Sequence, residues 1–181
     1  VPGRYTLLSK ALATELATLL SDVSGLSVAR RLLPLRDRTE FVQGETYVSV
    51  FAGDAGFEVL GRHGSVDDHE WEAIVCIQAA GPAPEPKSGS NAFGAVTQLV
   101  ADDVDWGDSV FDLVERIKGF WRGETDEAPE GPLRDVALAG CVFTGLVHSP
   151  VYVPYHLEQL GILSVILQLT YLETTEGDED E

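Results

Sequence analysis

Three observations predict an α+β fold in a single domain, a mostly antiparallel sheet with two main helices packed on one face. Two amphipathic helical stretches stand apart, one near the start and one after residue 105, while strand-like runs cluster between them and at the end. The last apolar run, Ile162 to Leu172, alternates with a period of two, so that Leu163, Val165, Leu167, Leu169 and Tyr171 share one face. Its other face, with Ser164, Gln168 and Thr170 among Ile162, Ile166 and Leu172, is mixed. That contrast suits a central strand covered by helices on one side. At 181 residues and 44% apolar, the chain is long enough to bury one real core.

In order, Tyr5, Leu8, Leu12, Leu16, Leu19 and Val23 recur at helical steps, and Gly25 stands where that helix should stop. Ser27–Leu35 reads as a strand with Pro34 at its exit, and Arg36–Gly44 as loop. Thr46, Val48 and Val50 alternate with Tyr47, Ser49 and Phe51 up to a stop at Gly53-Asp54, with Phe57–Arg62 free to pair back as a hairpin. His69–Ala79 is an interior strand with Trp71, Ala73, Val75, Ile77 and Ala79 on one face. Residues 81–90 hold three prolines and form a loop. Asp105 or Asp108 is placed to cap the second helix, whose buried face is Val110, Val114, Ile117 and Trp121 and whose stop is Gly123. Residues 123–132 form a second, acidic loop. Val136–His148 returns to strand, and a Pro150–Leu160 connector leads into the last strand. The expected core is Leu8, Leu12, Leu19, Val75, Ile77, Val114, Ile117, Leu167 and Leu169, with the domain covering residues 1–172 and a disordered acidic tail covering 173–181.

Thirty acids against twelve Lys and Arg leave a net charge of −18. A surface this acidic argues against a nucleic-acid reader that grips phosphates, though not against one that DNA slides past. No run of eighteen apolar residues marks a membrane span, and no basic-then-apolar start marks a secretory leader. Cys76 and Cys141 both lie in apolar runs and read as buried free thiols, with a disulfide between neighbouring strands and a two-cysteine zinc site as the lesser readings.

The common nucleotide, hydrolase and zinc-protease signatures are absent, so no catalytic residue and no cofactor is expected. One polar knot, His63, Asp67, Asp68 and His69, has ligand types for a divalent metal, which would make the chain a small metal-dependent enzyme. Its Gly, Ser and Asp content is equally that of a turn between strands. Asp102, Asp103 and Asp105 read as a helix-start cluster, and His148 and His156 as satisfied polar histidines. The loops at 81–95 and 123–132 exceed ordinary connection length. They supply the candidate contact residues, with Phe93 as apolar anchor beside Asn91, and Glu124, Asp126 and Glu127 in the acidic loop.

Taken together, the helix Tyr5–Val23, the strand Ser27–Leu35, W-E-A-I-V-C-I-Q-A, the helix S-V-F-D-L-V-E-R-I-K and the closing I-L-S-V-I-L-Q-L-T-Y resemble the tail terminator, or tail-completion, proteins of long-tailed bacteriophages. The resemblance spans roughly residues 5–172 in element order and texture, without a diagnostic motif. It implies a structural virion protein, assembled in the host cytoplasm, that forms a ring of typically six copies. The ring would cap the tail tube, end its polymerisation and meet the head connector while DNA passes through the lumen without specific binding. Its partners would be further copies of itself, the tube protein and the head–tail connector proteins, with no membrane. A neck adaptor or tail-tube subunit shares this element order, and an acidic module for a basic partner is a further reading.

Overall fold

A computed structural model describes residues 4–32, 36, 38–42, 44–58, 66–81, 104–123, 131–134 and 141–176. The helix α1 (Arg4–Leu19) carries leucine at every fourth position, so Leu8, Leu12, Leu16 and the following Leu20 form one fully buried stripe. Leu19, expected in the core, is one position off that stripe and only half-buried. Tight turns end the helix, and Gly25 takes the left-handed φ of +69° that reverses the chain into β1 (Leu26–Arg30).

The sheet contains β1, β2 (Thr46–Glu58), β3 (Val66–Ala80), β4 (Cys141–Val147) and β5 (Ile162–Glu176), in the spatial order β1-β2-β3-β5-β4. Three of the four pairings are antiparallel and only β1 with β2 is parallel, so the sheet is mixed but mostly antiparallel, in a single α+β domain. β5 lies between β3 and β4, as a central strand should. The parallel pairing requires a crossover, and residues 31–45, which include a 3₁₀ turn at Arg38–Glu40, connect the two strands.

The helix α2 (Val104–Arg122) buries Val110, Val114, Ile117 and Trp121. Those residues, the α1 stripe, and Val48, Val75, Ile77, Leu167 and Leu169 belong to one hydrophobic cluster, so both helices cover the same sheet face. Arg116 of α2 holds Asp22 in a two-pronged pair at 2.8 and 3.0 Å and also donates to the Leu19 carbonyl at 3.2 Å, tying the helices together. At the centre, Trp121 Nε1–H donates to the Tyr171 hydroxyl at 2.7 Å, and that hydroxyl donates to the Leu133 carbonyl at 3.1 Å. Burial pushes the Tyr171 phenol above its usual range, so it remains protonated and able to donate.

The opposite sheet face is covered at one end by the crossover. Arg36 stacks on the Tyr47 ring at 4.1 Å and its backbone N–H donates to Gln78 Oε1 at 3.0 Å, while Gln78 passes a bond on to Ser164. Further along, Ile74, Ile166 and Leu172 are only half-buried. The short helix α3 (Pro154–Leu160) ends in Gly161, again left-handed, and turns directly into β5.

Several expectations need correcting. β2 does not stop at Gly53-Asp54 but continues to Glu58, with the irregularity between Ala52 and Ala55 absorbing the turn-like residues. A Cβ on Gly53 would lie 2.8 Å from that of Glu72, so glycine serves close strand approach there. The pairing partner of residues 55–58 is therefore β3, not β2 itself as the hairpin reading expected. β1 stops at Arg30, short of Leu35. α2 begins at Val104, which puts Asp105 in its first turn and Asp108 inside the helix, so neither caps it. The boundary between domain and tail also moves. β5 runs to Glu176, and Glu173 is buried as the acceptor for Trp71 Nε1–H at 3.0 Å. Residues 177–181 of the expected tail lie outside the described residues.

Candidate functional site

Phe93, Asn91, Glu124, Asp126 and Glu127 lie outside the described residues, whereas Gly81, where one loop starts, and Gly123 and Gly131, which flank the other, are described. The acidic loop leaves α2 at Gly123, whose φ of +67° ends the helix, and returns at Gly131. The return is packed backbone against backbone: a Cβ on Gly131 would run into the Phe120 carbonyl oxygen. Leu133 N–H donates to that same carbonyl at 2.9 Å, and the Leu133 side chain is fully buried. Residues 124–130 therefore leave and rejoin the fold at one point, the C-terminal turn of α2. The other loop starts at Gly81, whose N–H donates to the Gly161 carbonyl at 3.1 Å. The acidic loop thus has a packed mounting at both ends, the arrangement by which a scaffold presents contact residues.

A second feature was not read from the sequence. Between the outer face of α1 and the edge strand β1 lies an open groove of about 710 Å³. Ala13, Thr14, Ala17 and Thr18 form its helical wall, with Lys10 and Arg30 among its lining residues and no acid among them. Three consecutive β1 residues, Val28 to Arg30, line the other side. Alternate strand side chains point to opposite faces, so a run of three places the strand's backbone edge in the groove. Among the described residues no strand pairs with that edge. Thr14 and Thr18 return their hydroxyls to the helix carbonyls at 2.9 and 3.1 Å, which keeps the wall low. The sequence signal was a stripe of small residues at positions 13, 14, 17 and 18, opposite the leucines.

At the far sheet edge, Val142, Val147, Val151 and Tyr155 are exposed apolar side chains, with Tyr155 65% exposed. Leu32, just beyond β1, is exposed as well, so exposed apolar side chains occur near both edges, and the β1 side adds the cations Lys10 and Arg30.

The remaining candidates fall into place as follows. His63 lies outside the described residues, whereas Asp67, Asp68 and His69 belong to the backbone of β3, paired with Thr175, Thr174 and Glu173, rather than to a turn. Cys76 and Cys141 are both buried, on strands separated by β5, and burial raises the Cys76 thiol to about 12. His148 Nε2 sits 2.9 Å from the Val151 carbonyl. His156 is half-buried with Nδ1 unpaired among the described residues, and burial lowers its pKa. Among the described residues no helix is long and apolar enough to cross a membrane. No family model matches the chain, and no curated protein matches it.

Proposed function

We propose that the chain is a structural virion protein of the tail-terminator kind, a ring that caps the phage tail tube and joins it to the head. The supporting observation is the packed closure of a long, breaker-rich segment at Gly123 and Gly131, with a second such segment leaving at Gly81, in a chain that lacks the common catalytic signatures. Contact loops held by a stiff sheet suit an assembly part. Two different terminal strands, β1 and β4, suit head-to-tail contacts, which close into rings when the rotation permits. The acid excess suits a lumen wall that repels phosphate and lets DNA pass. The partners in this reading are other copies, the tube protein and the head connector, and the location is the tail–neck region of the virion.

The test is genetic. A phage lacking this gene makes overlong, irregular tails and few complete virions. Tails of normal length that join heads efficiently refute the proposal, and tails of normal length that fail to join favour a neck adaptor. Metal analysis of the purified chain tests the rival enzyme: stoichiometric zinc or manganese lost on His63→Ala/His69→Ala would establish it.

A further inference from the structure

We infer that the groove between α1 and β1 is the docking site for the acidic stretch 177–181, Gly-Asp-Glu-Asp-Glu, of a second copy of this chain, laid as an added strand on the edge of β1 that no strand among the described residues pairs with. The contact is argued from charge and geometry alone and stands whether or not the assembly caps a tail.

The groove offers what an extended acidic segment needs. Its floor is the unpaired edge of β1, where backbone N–H and C=O groups are open to an incoming strand among the described residues. The small helical side chains leave room beside the edge, and the lining carries two cations and no anion in a chain with 30 acids and 12 bases. Lys10 is exposed, and Arg30 donates through Nε to Ser9 Oγ at 2.8 Å, an anchor that fixes the guanidinium beside the edge. Four carboxylates on 177–181 complement that pair of charges.

The other acidic segment fits less well. Residues 124–130 contain Pro129, which lacks a ladder N–H, and both ends are held at the same turn of α2. The same copy's 177–181 falls short. Arg30 lies in the row Arg30, Val50, Val75, Leu167, and β5 runs nine residues beyond Leu167 before Glu176. That is about 30 Å along the strand at ~3.3 Å per residue, in the direction away from the groove. Residues 177–181 span at most roughly 17 Å. A neighbouring copy displaced along the strand direction brings its stretch within reach, so the contact is between molecules.

A charge swap tests this with the full-length chain. Sedimentation analysis compares wild type, the groove variant Lys10→Glu/Arg30→Glu, the tail variant Asp178→Lys/Glu179→Lys/Asp180→Lys/Glu181→Lys, and an equimolar mixture of the two variants. Wild type self-associates, and each variant alone loses affinity by about tenfold or more. The mixture regains association, because each reversed groove meets a reversed tail. Lys10→Glu alone, which keeps the Arg30–Ser9 bond, gives a smaller loss in the same direction, and circular dichroism melts confirm that every variant is folded. Association unchanged by groove reversal, a mixture that fails to recover, or a wild type that stays monomeric overturns the inference. Rings that survive groove reversal overturn this contact while leaving the tail-cap reading standing. Association that follows the swap, together with normal tails in the phage deletion, keeps the contact and removes the tail-cap reading.

Discussion

Replacing Tyr171 by Phe removes one oxygen atom from the centre of the molecule and leaves two polar groups without partners. The ring itself is fully buried and stays in place, edge-on to Phe143 with centroids 5.7 Å apart, so little packing is lost. The Trp121 indole N–H loses its acceptor, and the Leu133 carbonyl loses a donor. A buried polar group deprived of its partner costs about 1–3 kcal/mol. Two such groups sharing one hydroxyl couple to each other, so the expected loss is about 3 kcal/mol. For a domain of this size that lowers Tm by ~6–12 °C. Urea unfolding followed by tryptophan fluorescence should show a lower midpoint with an unchanged slope, because the native state stays compact. A loss below about 0.5 kcal/mol would mean that these bonds contribute little beyond what ring packing supplies, and the account of how α2, β5 and the loop return are tied together would fall.

Leu167→Ala, at a fully buried position of β5, should cost about 2–5 kcal/mol in the same urea assay; a near-neutral result would contradict its place in the core. Gly131→Ala forces a methyl group onto the Phe120 carbonyl and should cost about 1–3 kcal/mol by thermal melt, whereas Gly107→Ala, with open space around it, provides the comparison. For His156, whose folded pKa is lowered by burial, the neutral ring is favoured in the fold. Its stability contribution is therefore full above the unfolded value near 6.5 and is lost as pH falls through the folded value. His156→Gln should flatten that acid limb of a stability–pH profile; an identical profile would argue against the burial of the ring.

Much of the fold is legible in the sequence because two periods are written plainly. The leucines of α1 and the alternation of β3 and β5 mark the buried faces, and Leu8, Leu12, Val75, Ile77, Val114, Ile117, Leu167 and Leu169 are all core residues. Leu19 misleads because helical spacing leaves both 19 and 20 near the stripe, and packing selects Leu20. Turn chemistry misleads at Gly53-Asp54 and at Asp67–His69, where local preference for a turn is overridden by pairing with long neighbouring strands. Glu173 misleads for the same reason: a local reading sees the first acid of a tail, while its register opposite His69 and the Trp71 N–H retain it in the sheet. The α1–β1 groove depends on which strand ends at an edge, and a parallel pairing between segments twenty residues apart leaves no local mark. The expected contact residues remain expectations, whereas the stems beneath them are visible only in three dimensions.

The Gly123–Gly131 closure has a consequence for tolerance to change. Since the chain leaves and re-enters at one turn, the seven residues between are joined to a gap that is already short. The entropy of closing such a loop grows only with the logarithm of its length, by roughly 0.6 kcal/mol per doubling. Length and composition at 124–130 can therefore drift, or accept an inserted epitope, at small expense to folding, provided that the glycine at 131 and its seat on Phe120 are kept. Selection on what this loop touches is in that sense uncoupled from selection on whether the protein folds.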